Sequence, residues 1–190
     1  MNKIEEEIIA MLIEHSRIIY SSISDMGVYY TTWKEASKSD KSLKKALEKK
    51  RSKMQLSEED ADAIKIKLIK DFSEAGAPGL SNYMTLILRM DNVINSALEF
   101  VDIISTIRSK DEVSKDMMKR YEKLINNLMK MADELKTTIK NLRDNPQDVF
   151  NNTTMIHELE NEIDEIFREF LNYLYNKEDL EVRLLFKLRD

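Results

Sequence analysis

The stretch MMKRYEKLINNLMKMADELKTTIKNL, residues 117–142, decides the fold class of this chain. Apolar side chains recur in it at intervals of three and four residues, close to the heptad pattern of helices that pack along one face. The apolar positions are Met117, Tyr121, Leu124, Leu128, Met131, Leu135, Ile139 and Leu142. The pattern predicts a long amphipathic helix that buries one side against other helices.

Helical periodicity continues on both sides of this stretch, and a polar segment at 34–42 and a turn at 75–79 interrupt it. Six helices are predicted: about 4–33, 43–72, 80–107, one containing 117–142, one from Pro146 to 175, and one from about residue 179. Ser57 and Asp60 resemble a capping box, which predicts a break in the second helix. Ser109 and Glu112 resemble another, which predicts the start of the fourth.

Composition supports an all-α protein of one compact unit. The 190 residues are 42% hydrophobic and 34% charged, with three glycines and two prolines. The absence of cysteine excludes disulfides and thiolate metal sites, and the scarcity of glycine excludes a Gly-rich phosphate-binding loop. The net charge of −5 indicates no particular partner. We see neither a signal peptide nor a membrane span, and expect a cytoplasmic protein.

Two pairs of carboxylates have the same spacing. Glu58 and Asp62, and later Glu160 and Asp164, stand four residues apart, so each pair shares one helix face. Like charges so placed repel each other, and a metal ion between them would remove the repulsion. Asp91 also faces inward, since its helical neighbours are apolar, and so does Glu160, beside Ile163, Phe167 and Leu171. The alternative is that these acids lie on a solvated rim, paired with Lys65, Arg89 or Arg168.

The two halves of the chain look like copies of one unit. Superposing Asp62 on Asp164 brings the segment around Asp91 opposite residues 186–190. We interpret this as a duplicated three-helix unit, with repeats at 1–109 and 110–190 in one compact body. The sixth helix is then several turns shorter than its counterpart. Either the chain is a truncated copy or a partner completes the bundle, and we expect a homo-oligomer.

Four segments carry a family resemblance: EEDADAI (58–64), LILRMDNVINSALEF (86–100), ELENEIDEI (158–166) and LLFKLRD (184–190). Over essentially its whole length the chain resembles PhoU-like proteins, in the short branch associated with Pit-type phosphate transporters. The resemblance implies an all-α six-helix bundle of two repeats. It also implies a non-enzymatic regulator of inorganic phosphate transport that binds metal ions, commonly iron or zinc.

The resemblance further implies ligands and partners. The metal ligands would be Glu58, Asp62, Asp91, Asn95, Glu160, Asp164 and Asp190. The partner would be a phosphate transporter or its regulatory kinase system, with peripheral membrane contact through the transporter. Asn95 stands where the family pattern has a second Asp. No residue follows Asp190 by four positions, so the second site is incomplete.

Two other functions stay open at this point. One is a helical scaffold or interaction protein whose acids are ordinary surface charges. The other is a metal-dependent hydrolase, for which the sequence identifies no general base. His15 is expected at the core or its boundary, and His157 in solvent or near the second site. The basic segment 38–53 fits a solvated helix face or a contact with headgroups, a transporter or nucleic acid. It lacks interleaved aromatic residues, and we expect no nucleic-acid partner.

Overall fold

The computed structural model describes residues 3–35, 41–75, 80–107, 113–177 and 180–189. These residues form six α-helices and, within the ranges given, no β-strand. The helices are α1 (Lys3–Glu35), α2 (Lys41–Ala75), α3 (Leu80–Ser105), α4 (Lys115–Asp144), α5 (Val149–Tyr175) and α6 (Val182–Arg189). The prediction of an all-α bundle is confirmed.

Helix α1 is the centre of the bundle. It packs against α2 and α3, which also pack against each other, and on another side it packs against α4. Helix α4 pairs with α5, and the short α6 contacts both α3 and α5. The core is continuous across these contacts, with Leu12, Ile19, Met54, Leu68, Ile87, Ile94, Val101 and Leu174 among its fully buried side chains. Helix order and packing do not test the predicted duplication, which stays a prediction.

An aromatic cluster joins the two sides of the bundle. The ring of Tyr30 on α1 lies 6.3 Å from Phe100 and 6.0 Å from Tyr121, and Tyr121 lies 4.9 Å from Phe170 in an edge-to-face arrangement. The Tyr30 hydroxyl donates to the carbonyl of Met118 at 2.7 Å, which ties α1 to α4. Burial raises the pKa of both tyrosines. The rings are therefore neutral anchors of the core.

The predicted break in α2 near Ser57 is wrong. Helix α2 is continuous through Ser57, because the Ser57 hydroxyl donates to the Lys53 carbonyl inside the helix and caps nothing. Helix α1 runs through Gly27 without a break. A Cβ at Gly27 would lie 3.0 Å from the Met129 sulfur. This glycine lets α4 approach α1 closely.

Two helix starts also differ from prediction. The residue that caps α4 is Ser114, whose hydroxyl oxygen accepts from the backbone N–H of Met117 at 3.2 Å. Ser109 and Glu112, the predicted capping box, lie outside the described residues. Pro146 begins a single 3₁₀ turn, Pro146–Asp148, and α5 follows from Val149. Within the described residues, no helix has both the length and the apolar character needed to cross a lipid bilayer.

Candidate functional site

Asp91 is a carboxylate in the core. It lies on α3 between Ile87 and Ile94, which are both buried, and only 4% of Asp91 is exposed. The inward orientation predicted from its apolar neighbours is confirmed. Because an unpaired charge in such a place is costly, the surroundings of Asp91 must supply compensating groups.

The compensating cation is Lys65 of α2. Its Nζ lies 2.7 Å from Oδ2 of Asp91 and also contacts the carboxylate of Asp62, one turn earlier on the same helix. Burial lowers the pKa of Lys65, but its bonds to Asp62 and Asp91 outweigh that effect and raise the pKa overall. The ammonium therefore stays charged and bridges α2 to α3.

His15 of α1 lies against the same carboxylate, so three helices contribute to the site. It is completely buried, and its Nε2 lies 3.8 Å from Oδ1 of Asp91, which is too far for a hydrogen bond. Among the residues that the structure describes, none hydrogen-bonds to either ring nitrogen. Burial lowers the pKa of His15 to about 4, although the nearby Asp91 carboxylate opposes the shift. At neutral pH the site thus contains a neutral imidazole with both nitrogens unused.

Two more predicted ligands lie at the same place. Glu58 is half-buried one turn before Asp62, and its pKa is raised by burial and by repulsion from Asp62 and Asp91. Asn95 is largely exposed, and its amide donates weakly to Asp91 Oδ2 at 3.4 Å. The structure therefore brings Glu58, Asp62, Asp91 and Asn95 together. We call this group, with Lys65 and His15, the α1–α3 charge cluster.

The second predicted group is different. The Glu160 side chain is 55% exposed and the Asp164 side chain 56% exposed, so the predicted inward orientation of Glu160 is wrong. Both acids pair with side chains of α5 itself: His157 Nδ1 lies 3.0 Å from Glu160, and Arg168 lies 3.2 Å from Asp164. Helix α5 instead buries Ile166, Phe170 and Leu174. His157 faces solvent, as expected, and Asp190 lies outside the described residues.

Part of the basic segment serves the fold. Arg51 makes two hydrogen bonds to Asp102 of α3, at 2.5 and 3.0 Å, and Lys53 lies 2.7 Å from Asp25 of α1. Both pairs are at least partly exposed, so each contributes modestly to stability. They tie α2 to the two helices that it packs against. These two residues therefore fit the interpretation of the segment as a solvated helix face.

Sequence reasoning missed how Lys65 and His15 take part. Lys65 stands three residues after Asp62, a spacing that already indicates an ion pair, and it was considered only as a rim partner. No sequence signal connects His15 to Asp91, since they lie 76 positions apart on different helices. Their proximity results from the packing of α1 on α3.

No family model, no curated protein and no solved structure matches the chain.

The residue types of the charge cluster are those of a metal site, but their placement in this structure is not. Among the described residues, no three His, Asp or Glu side chains are placed ready to bind one ion. However, a neutral imidazole without a partner, two carboxylates and a third acid nearby are the ligand types that zinc and ferrous iron use. The Lys65 ammonium lies between the carboxylates where the ion would bind. Metal binding thus requires that the ammonium leave.

Proposed function

We propose that this protein is a PhoU-like, non-enzymatic regulator of inorganic phosphate transport that binds a metal ion at the α1–α3 charge cluster. The metal exchanges with the Lys65 ammonium between Asp62 and Asp91. His15 and Glu58 are the further ligands, and zinc or iron is the expected metal. The observation that carries the proposal is the imidazole of His15, buried, unpartnered and facing a carboxylate.

Electrostatics supports an exchangeable cation. Asp91 is almost fully buried and requires a positive charge close to its carboxylate. Asp62, by contrast, has a side chain that is 40% exposed, and that of Lys65 is 18% exposed, so the ammonium lies at the edge of the cluster. A flexible lysine at an edge can swing into solvent without opening the core. One cation can therefore replace another there.

The phosphate-transport part of the proposal is supported by the resemblance of the four sequence segments to PhoU-like proteins. An all-helical bundle is consistent with it. In this proposal the metal state of the cluster is what the transporter, or its regulatory kinase system, responds to. The second carboxylate group is assigned no metal, because Glu160 and Asp164 are exposed and their described partners are on the same helix.

The decisive experiment is isothermal titration calorimetry of the purified protein with Zn²⁺ and, under anaerobic conditions, with Fe²⁺. We expect one bound ion per chain. Asp62→Ala should weaken binding about tenfold or more, a difference of about 1.4 kcal/mol in binding free energy. Lys65→Leu should strengthen binding by a similar factor, because it removes the competing cation. Circular dichroism confirms that each variant is helical.

The matched control is Asp164→Ala, which removes the equivalent carboxylate from α5 and should leave the metal affinity unchanged. If the wild-type protein and Lys65→Leu bind no metal, the cluster is a structural ion-pair network and the proposal is wrong. Equal affinity of Lys65→Leu and wild type would exclude the exchange between ammonium and metal.

The transport role has its own test. Uptake of labelled phosphate is measured in cells that express an inorganic-phosphate permease, with and without this protein. We expect wild-type protein to change the uptake rate and Asp62→Ala to lose that effect, while Asp164→Ala behaves as wild type. No effect of the wild-type protein would contradict a role in phosphate transport, whatever the metal titration shows.

A further inference from the structure

An apolar groove lies between α3 and α5, with its floor formed by α1 and α4. It encloses a cavity of about 410 Å³. Its walls include Val93, Ala97 and Phe100 of α3 and Phe167 and Phe170 of α5, and Tyr121 of α4 lies in its floor. We call this feature the α3–α5 groove. Its lining is almost entirely apolar, which in a water-facing cleft indicates a binding surface.

Helix α6 occupies one end of the groove and shows how a helix binds there. Leu188 inserts into the groove and is only 3% exposed. The Tyr121 hydroxyl donates to the carbonyl of Leu188 at 2.6 Å. On the other side, Lys187 Nζ donates to the carbonyl of Thr106, at the C-terminal end of α3, at 3.0 Å. An apolar side chain and two hydrogen bonds from side chains to backbone carbonyls together hold the helix.

The groove is longer than the helix that occupies it. Along α3 its lining extends from Ile104 back to Asn92, which corresponds to about 18 Å at 1.5 Å per residue. The eight residues of α6 span about 12 Å, and only three of them, residues 187–189, line the cavity. Val93 is 38% exposed and Phe167 is 41% exposed. Part of the apolar wall is therefore left open to solvent.

Two features of the wall favour a helix as the occupant. The side chains of Ser96 and Ala97 are small, so the backbone of an incoming helix can approach α3 closely. The charged residues among the described lining are Lys187 and Arg189, both basic and both at the α6 end. An acidic side chain on the incoming helix would complement them.

We propose that the α3–α5 groove binds an amphipathic α-helix of a partner protein, with an acidic residue at the end that approaches Lys187 and Arg189. The apolar face of that helix covers Val93, Ala97 and Phe167, in the helix-in-groove mode of recognition. This inference does not depend on the metal site.

The test uses two fluorescein-labelled 16-residue peptides and the full-length chain. The first has Leu at i, i+3, i+4 and i+7 with Glu at its polar positions, and the second has the same Leu pattern with Lys. We expect the acidic peptide to bind in fluorescence anisotropy and the basic one to bind at least about tenfold more weakly. A scrambled acidic peptide, which lacks the apolar face, should not bind.

Val93→Asp places a charge on the open wall and should weaken binding of the acidic peptide about tenfold or more. Ile66→Asp is the matched control, because Ile66 is an apolar side chain on α2, 62% exposed and outside the groove. It should leave binding unchanged. Both sites are exposed enough for each variant to fold, and circular dichroism checks this.

Three outcomes overturn the proposal. The first is that neither helical peptide binds, or that Val93→Asp and Ile66→Asp affect binding equally. The second is a dimer in size-exclusion chromatography with light scattering that Val93→Asp dissociates, because the occupant is then a second copy of the chain. The third is laurate that binds stoichiometrically and displaces the acidic peptide, which would identify a site for acyl chains.

Discussion

The Glu58–Asp62 pair of α2 and the Glu160–Asp164 pair of α5 have the same spacing but different surroundings. Asp62 shares an ammonium with the buried Asp91 of α3, across from a buried histidine of α1. Glu160 and Asp164 project from α5 into solvent and pair with side chains of their own helix. Spacing on one helix therefore places two carboxylates on one face. Whether they form a site depends on what the neighbouring helices bring opposite that face.

The largest expected effect comes from removing the cation of the buried cluster. Lys65→Leu leaves the buried Asp91 carboxylate without its closest partner and should lower the free energy of unfolding by about 4 kcal/mol. The equivalent change in the exposed pair, Arg168→Leu, should cost about 0.5 kcal/mol or less. Urea unfolding at pH 7 with a chelator present measures both.

The loss of stability in Lys65→Leu could come from the uncompensated charge of Asp91 or from lost packing of the Lys65 side chain. A double variant separates these two explanations. Lys65→Leu combined with Asp91→Asn removes both charges and should recover most of the lost stability, because the cost lies in an uncompensated charge. If the double variant is as unstable as Lys65→Leu, the contribution of Lys65 is packing, and the contrast with α5 is not electrostatic.

The next effect is a pH dependence of stability that comes from the buried His15. The pKa of His15 is about 4 in the folded chain against an ordinary value of 6.5, so the unfolded chain takes up the proton first. The corresponding stability is fully present above about pH 6.5 and is lost as the pH falls toward 4. Between pH 7 and 4.5 the loss should be about 2–3 kcal/mol, since one pKa unit corresponds to about 1.4 kcal/mol.

This prediction is checked by urea unfolding at several pH values with a chelator present. His15→Leu should lose less stability than wild type over this range, by about the same 2–3 kcal/mol. His157→Leu, which changes an imidazole whose side chain is 70% exposed, should follow the wild-type curve. A pH dependence of His15→Leu that matches wild type would contradict the assignment.

The smallest expected effect is that of an added carboxylate in the α1–α3 charge cluster, compared with a carboxylate removed from α5. Asn95→Asp replaces the weak amide donor to Asp91 with a like charge one turn away and should destabilise the metal-free protein by about 0.5–1 kcal/mol. Zn²⁺ should reverse that loss if the cluster binds metal. Asp164→Asn is the control and should change neither the stability of the metal-free protein nor the effect of Zn²⁺ on stability. Destabilisation of Asn95→Asp that persists with zinc would count against the metal.

The fold was largely predictable because long helices with regular apolar spacing leave a strong signal in the sequence. The predicted helices agree with the observed ones except near Ser57 and at the starts of α4 and α5. A serine can serve either as a helix cap or within a helix, which explains the errors near Ser57 and at the start of α4. Contacts between helices, such as the close packing of Met129 on Gly27, cannot be read from the residues that neighbour each position in the sequence.

The site was predictable only in part, and the two acids Asp91 and Glu160 show why. Each has apolar residues three and four positions away, so both were predicted to face inward. Helix α5 has two adjacent apolar stripes, however, and it buries the one with Ile166 and Phe170. The stripe beside Glu160 includes Phe167, which lines the α3–α5 groove. Periodicity alone does not say which of two adjacent stripes meets the core.

The central position of α1 has a consequence for synthesis on the ribosome. Its contacts with α4 join residues far apart in sequence, and the bond from Tyr30 to Met118 spans 88 positions. At about 5–20 residues per second, roughly 5–20 s pass between the emergence of α1 and the completion of α4. During that interval one apolar side of the nascent α1 has no native neighbour. This is the stage at which a chaperone would have most to protect.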